Sequence, residues 1–326
     1  MRFIVTGGAG FIGHNVVRQL EQSGHECFIL DCVTDYGFVP QDELAYLYRE
    51  RTKRIVSALY HIDLRNRASM ANWFAYYGGG IDAIIHLASF PRQKVVSANP
   101  VWGAEVMATG LINLLELTKQ YAIPKFVYIS SSMVYGDFAD DVKEDYNCNP
   151  QGQYGIMKLM GEHLVRDYTR RGCFNHVIIR PSAVYGELDV EDRVVSKFML
   201  GALRGEILKV NGANETLDFT YVEDAAAGIV AATLSDNAIN NIYNITKSHS
   251  TSLLQAANLA IKIAGNGSVE CRDKDADFPS RGALNIDAAR RDFNFNPKVD
   301  VEEGFQKYAN WFNNSVYWST KTIPNA

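Results

Sequence analysis

Phe3-Ile4-Val5-Thr6-Gly7-Gly8-Ala9-Gly10-Phe11-Ile12-Gly13 opens the chain, and a helical apolar pattern runs on from Phe11 to about residue 23. A short apolar strand, a Gly-x-x-Gly-x-x-Gly loop and a helix in that order form a dinucleotide-binding βα unit. Gly7 suits the tight turn, Gly10 lets backbone N–H groups approach a pyrophosphate, and Gly13 lets the helix pack on the strand. Phe11 and Ile12 begin the helix, where unpaired N–H groups and the positive end of the dipole attract phosphate.

Further along, short apolar runs alternate with helical patterns. Strands are expected over Phe3–Thr6, Glu26–Asp31, Leu59–Ile62, Ala83–Leu87, Phe126–Ser130 and His176–Arg180, with helices near 11–23, 66–77, 100–121 and 151–171. The strands are nearly continuous apolar runs, as in a parallel sheet covered on both faces. The expected fold is α/β: a Rossmann-type doubly wound parallel sheet with a smaller, mixed C-terminal substrate lobe. Residues 1–180 form the NAD-binding domain, with a returning segment at about 218–247 and a strand near Tyr243–Ile245. Residues 181–217 and 248–326 form the smaller lobe. Residues 33–54 exceed an ordinary βα connection and are read as a flap or a helical insertion.

The chain has 326 residues, 32 basic and 37 acidic, so it carries a formal charge of −5. Its basic residues are scattered, which argues against a nucleic-acid partner. No apolar run reaches the roughly 18 residues of a membrane span. Five cysteines (27, 32, 148, 173, 271) are an odd number with no Cys-x-x-Cys pair, which predicts free thiols and a cytoplasmic protein. No metal site is read.

The second strand ends at Asp31, 18 residues after Gly13. An acid there accepts hydrogen bonds from the adenosine ribose and repels a 2′-phosphate, and Cys32 follows it with no basic neighbour, so NAD is the expected cofactor. Asp63 and Leu64 after the third strand, and Leu87 and Ala88 after the fourth, are candidates for the adenine and cofactor walls, or for ordinary strand-end packing.

Tyr-x-x-x-Lys occurs four times, as Tyr121/Lys125, Tyr154/Lys158, Tyr243/Lys247 and Tyr317/Lys321. Only Tyr154/Lys158 lies inside a helical pattern, where i and i+4 share a face. A phenol of pKa about 10 is a poor base; a neighbouring ammonium and the positive nicotinamide favour the phenolate. A serine at the end of the fifth strand would bind the same substrate oxygen.

With these landmarks the sequence resembles the extended short-chain dehydrogenase/reductase family, in its NAD-dependent epimerase/dehydratase branch. The resemblance covers most of the chain, through Gly7–Gly13, Asp31, His86-Leu87-Ala88, Ser130–Gly136, Tyr154/Lys158, Arg180–Gly186 and Asp218–Asp224. It implies a nucleotide-diphosphate sugar as substrate, Ser131 as the catalytic hydroxyl with Tyr154 and Lys158, and a homodimer built from the helices near 100–121 and 151–171. Leu111, Leu114, Leu115, Leu159 and Leu164 would serve that interface or the core. Ser132-Met133 stands where the sugar dehydratases carry an Asp-Glu pair, which disfavours dehydration. Ala183 and Leu217 replace an Asn and an Arg that meet the diphosphate in many members. Arg281 matches a second diphosphate arginine of the family, and Arg92, Lys94 and Ser132 are further substrate-side candidates. The leading expectation is epimerisation at C4 through a 4-keto sugar. A net NAD-dependent oxidoreductase and a non-catalytic NAD-binding protein remain its rivals.

Overall fold

The computed structural model describes residues 1–319 apart from Tyr36 and Asp277. Among these residues, β1 (Arg2–Thr6), β2 (Glu26–Asp31), β3 (Ala58–His61), β4 (Ala83–His86), β5 (Lys125–Ile129), β6 (Asn175–Pro181) and the strand Asn241–Ile245 form one sheet. Its order is 241–245, β6, β5, β4, β1, β2, β3, and every pairing is parallel. Successive residues of β1 explain the two layers. Phe3 and Val5 point into one core with Val16, Val17 and Leu20 of α1 (Phe11–Gln22), while Ile4 points into another with Trp73, Leu115 and Val165. The second core is covered by α3 (Arg67–Tyr77), α6 (Leu111–Gln120) and α7 (Gln153–Arg170). Burial on both faces requires apolar residues at consecutive positions.

The 33–54 insertion is helical: α2 spans Gln41–Thr52. The helix expected over 100–121 runs from Pro100 to Gln120 and contains a π-helical turn. After the short α4 (Gln93–Ala98) and α5 (Pro100–Ala104), a π-helical turn occupies Glu105–Gly110 before α6 begins. The wider turn sets Gly110 against Leu64, where an added Cβ would lie 3.2 Å from the Leu64 Cβ. Leu111, Leu114 and Leu115 are fully buried within the chain, so of the two roles open to them they take the core.

Beyond β6, α8 (Val194–Leu203), α10 (Leu253–Ala264) and α12 (Val301–Asn314) enclose a third core around Phe198, Met199, Ala257, Phe305 and Tyr308. Between them α9 (Val222–Leu234) returns to pack on α1. Ser252 and Gln255 close a reciprocal capping box at the start of α10, and Gly265 ends it in the left-handed conformation. α11 (Asp287–Phe293) and α13 (Val316–Ser319) complete the fold. No helix among the described residues is long and apolar enough to cross a membrane, and all five cysteines are free.

Candidate active site

The strand order reverses direction between β1 and β4, the position where open α/β sheets bind ligands beyond their carboxyl ends. There a cleft of about 1230 Å³ opens between the sheet and the C-terminal lobe. At its cofactor end, Gly10 is the N-cap of α1 and makes no side-chain cap, and the first turn holds no acidic residue. The amides of Phe11, Ile12 and Gly13 therefore have no carbonyl ahead of them in the helix. A Cβ on Gly13 would sit 2.0 Å from the Gly7 carbonyl oxygen, so the loop lies directly on the helix.

Asp31 stands beside this loop, accepting the Ala9 N–H at 3.0 Å and the Val33 N–H at 2.9 Å. Burial raises its carboxyl pKa, and these two bonds oppose the rise. The sequence shows no basic residue next to Asp31, but the fold brings Arg51 of α2 into range, and its charge acts on the carboxylate. That guanidinium is already engaged: Nε and Nη2 donate to the Leu188 carbonyl at 3.1 and 2.6 Å. Leu64, Leu87 and Ala88 line the cleft, as does Asp63. The Asp63 carboxylate is clasped by Arg65 at 2.6–3.1 Å, which lowers its pKa. An uncapped helix start, a glycine cradle that side chains would fill and a half-buried carboxylate at the end of β2 together fit NAD.

The chemical end lies where β5 gives out. Ser131 caps a 3-10 turn over Ser132–Val134, its Oγ accepting the Met133 N–H at 3.2 Å. α7 starts against this turn, because Gly155 leaves room for the Met133 carbonyl, 2.6 Å from where a Cβ would stand. Gln93 also holds the Tyr154 N–H at 3.2 Å. Ser131 and Tyr154 both line the cleft here, and the serine hydroxyl acts on the phenol. Burial raises the pKa of the phenol; the charge of Arg193 and the Ser131 hydrogen bond pull it down. Lys158 is 4% exposed, donates to the Ile129 carbonyl at 2.8 Å and stands 5.8 Å from the Tyr154 ring centre. Burial lowers its ammonium pKa to about 7, against the pull of Glu162. Glu162 is itself clamped by Arg180 at 2.7 and 2.9 Å and accepts the Ser130 hydroxyl at 2.5 Å.

The sequence reading gives Lys158 the task of making the phenol acidic. In the structure Lys158 stands over the Tyr154 ring, and the charge of Arg193, a residue no motif singles out, acts on the phenol as well; the local signal of Arg193 is its i,i+4 pairing with Asp189 at 3.4 Å. Of the other Tyr-Lys pairs, Lys125 donates to the Thr233 carbonyl and the Tyr243 hydroxyl to Asp292, both away from the cleft. Lys321 lies outside the described residues.

On the substrate side Ser132 donates to the Ser182 hydroxyl at 3.1 Å. Arg92, with φ 73°, donates from Nη1 to the Asp192 carbonyl at 2.8 Å and its carboxylate at 2.7 Å. Lys94 faces Asp275 at 3.6 Å. Arg281 lines the cleft with its Nε buried and without a hydrogen-bond partner, and burial lowers its pKa to about 10. Ala183, at φ 35°, and Leu217 line the same cleft and bring no charge to it.

Comparison with known proteins agrees with this geometry. The chain is 27% identical over 322 residues to a UDP-glucuronate 4-epimerase of Thermodesulfobacterium geofontis, covering 96% of this chain and 97% of that one. It is 28% identical over 326 residues to a UDP-glucuronic acid decarboxylase of Arabidopsis thaliana, covering 97% of this chain and 71% of the relative. Among solved structures, the UDP-glucuronic acid 4-epimerase of Bacillus cereus, in complex with UDP-glucuronic acid and NAD, superposes with a TM-score of 0.86. Identity there is 26%, over 95% of this chain and 98% of that one. The profile of the NAD-dependent epimerase/dehydratase family matches residues 3–246, and the chain belongs to that family.

Proposed function

We propose that this protein is a nucleotide-sugar epimerase that inverts C4 through a 4-keto sugar. One observation carries the reading: Ser131 and Tyr154 line the same cleft at the end of β5, the serine hydroxyl acting on the phenol, while Ser132 and Met133 beside them supply no carboxyl group. Tyr154 takes the proton of the sugar 4-hydroxyl, and Ser131 hydrogen-bonds the same oxygen, so charge developing there meets a donor already in place. NAD held by the Gly7–Gly13 loop and Asp31 would supply the reversible hydride acceptor for C4. Lys158, buried beside the ring and held by the Ile129 carbonyl, keeps a titratable charge near the phenol and would donate to the nicotinamide ribose of bound NAD. Elimination of water across C5 and C6 needs a further acid–base group there, which neither a hydroxyl nor a thioether provides.

The nucleotide-diphosphate sugar lies across the cleft toward the C-terminal lobe. Arg281 is the residue for its diphosphate, since a buried guanidinium nitrogen without a partner gains most from an anion. Arg92 and Ser132 border the sugar. The same fold and cofactor serve epimerases, decarboxylases and dehydratases, so the test must read the product. UDP-glucose and UDP-glucuronic acid, each deuterated at C4, are incubated with the NAD-loaded protein and followed by proton NMR. Inversion at C4 with the deuterium retained is expected. Loss of CO2, loss of water, or one NADH released per sugar consumed would overturn the proposal.

A further inference from the structure

The 33–54 insertion belongs to neither the glycine fingerprint nor the Ser131–Tyr154–Lys158 group, yet its helix is fastened to the substrate side of the cleft. α2 turns Leu44, Ala45, Tyr48 and Arg51 toward the cleft, the i, i+1, i+4, i+7 spacing of one helix face. Arg51 is 9% exposed, and two of its nitrogens converge on the Leu188 carbonyl. Two turns earlier Glu43, 1% exposed, accepts the Glu191 N–H at 2.7 Å. The loop from Leu188 to Arg193 thus hangs from α2 at two points. Leu188 is held at φ 66°, a conformation that a leucine adopts only where its surroundings enforce it. Burying a carboxylate and a guanidinium is costly unless both are well bonded. Here both are spent on the backbone of one loop.

What that loop carries gives the fastening its consequence. Asp192 holds Arg92 through its carbonyl and its carboxylate, and Asp189, 3% exposed, pairs with Arg193. Ser131 from the turn after β5, Lys158 from α7 itself and Arg193 from this loop line one cleft with Tyr154, and these groups together with Tyr128 of β5 act on its phenol. Of these, Arg193 is the one whose backbone is suspended from α2.

We infer that Glu43 and Arg51 are positioning residues for the reaction: by holding the Leu188 and Glu191 backbone they place Arg193 beside the reacting phenol and Arg92 beside the sugar. The inference rests on the reading of Tyr154 as the base of the proposed epimerase. The 33–54 insertion then joins the strand end that meets the cofactor ribose to the loop that meets the sugar.

The test titrates Tyr154 by phenolate absorbance in NAD-loaded protein, each variant measured against the same variant carrying Tyr154→Phe. Glu43→Leu and Arg51→Met are expected to raise the Tyr154 pKa by about half a unit or more, roughly threefold less phenolate at a given pH. Glu43→Gln keeps an oxygen for the Glu191 N–H and is expected to titrate as wild type. Arg193→Met reproduces the rise, and Glu43→Leu adds nothing on top of it, because both act through one contact. Arg51→Lys keeps the buried charge but not the two-pronged grip, so it serves if the larger changes prevent folding; a smaller rise in the same direction is expected. Wild-type titration in Arg51→Lys and in whichever of Glu43→Leu and Arg51→Met folds would overturn the inference. Full additivity of Glu43→Leu with Arg193→Met would do the same. A Tyr154→Phe protein that converts nucleotide sugar at the wild-type rate would instead overturn the reading of Tyr154 itself.

Discussion

Two glycines of the phosphate loop separate what the loop does for the fold from what it does for the cofactor. An alanine at position 13 would place its Cβ 2.0 Å from the Gly7 oxygen, 2.8 Å from the Gly8 Cα and 2.9 Å from the Gly7 carbonyl carbon. All three atoms are backbone, so no side chain can swing aside, and the loop must retreat by roughly 1 Å or more. Overpacking of this kind costs about 1–3 kcal/mol, and rigid surroundings put Gly13→Ala at the upper end. In a chain of this size each kcal/mol is worth ~2 °C, so a fall of about 4–6 °C in the Tm of cofactor-free protein is expected. At position 10 the new Cβ would meet only the Gly7 oxygen, at 3.0 Å, with φ at −74°, a conformation any residue accepts. Gly10→Ala should therefore leave the cofactor-free Tm within ~2 °C of wild type. Its methyl group would nevertheless occupy the path of the pyrophosphate, weakening NAD binding by about tenfold or more, which corresponds to 1.4 kcal/mol. Circular dichroism melts of stripped protein and calorimetric titration with NAD read the two effects separately. A Gly13→Ala protein that melts with wild type, or a Gly10→Ala protein that binds NAD with wild-type affinity, would refute this account of the loop.

Tyr154→Phe is expected to lower kcat by ~10²-fold or more while leaving NAD content unchanged, measured by NMR turnover and absorbance. Arg180→Met strands the Glu162 carboxylate, whose partner lies 2.7 Å away with both side chains at most 3% exposed. A loss of about 3–5 kcal/mol in urea unfolding is expected, much of it recovered in Arg180→Met/Glu162→Leu. Stability should also fall on acidification. Burial pushes His14 and His86 down to about 3 and His176 to about 4. Unfolded imidazoles take up protons below about 6.5 and these folded ones do not, so the unfolded chain gains as the pH drops. Asp218, pushed up to about 6, binds a proton in the folded state over the same range and offsets part of this. A net loss of at least ~2 kcal/mol between pH 7 and pH 5 is expected, and equal urea midpoints would contradict it. Dimerisation through the outer faces of α6 and α7, where Ile112 is 41% and Ile156 53% exposed, is checked by light scattering; a monomer at every concentration would end it.

The fold was readable because its strongest constraints are local. The glycine run follows an apolar strand and precedes an amphipathic helix, and strands buried on both faces leave unbroken apolar runs such as Phe3-Ile4-Val5 and Ile84-Ile85. The π turn within the 100–121 helix was not readable. Its residues keep helical spacing throughout, and the turn shows itself only in a distant contact, where it sets Gly110 against Leu64. Insertion 33–54 sits between these cases. Its length announced an extra element, but α2 has a weak apolar face, because its inward residues include Glu43 and Arg51.

The same distinction runs through the cleft. Tyr154 and Lys158 stood out because one helix sets their spacing, and Asp31 because one strand and one loop fix its distance from Gly13. Arg193 and Arg51 lack such a local frame. Arg193 comes to the phenol from a loop without regular structure, and Arg51 reaches Asp31 only because α2 folds back across the end of β2. Charges that tune a site act through space, so their sequence positions are free to vary as long as some element delivers them. The bare motif shows only the local partner of the phenol. That lysine stands 5.8 Å from the ring centre with its ammonium bonded to the Ile129 carbonyl, while the arginine whose charge also acts on the phenol is 39 residues downstream. A variant that keeps Tyr154 and Lys158 but loses Arg193 would look intact by motif, yet its phenol is expected to titrate about half a unit higher.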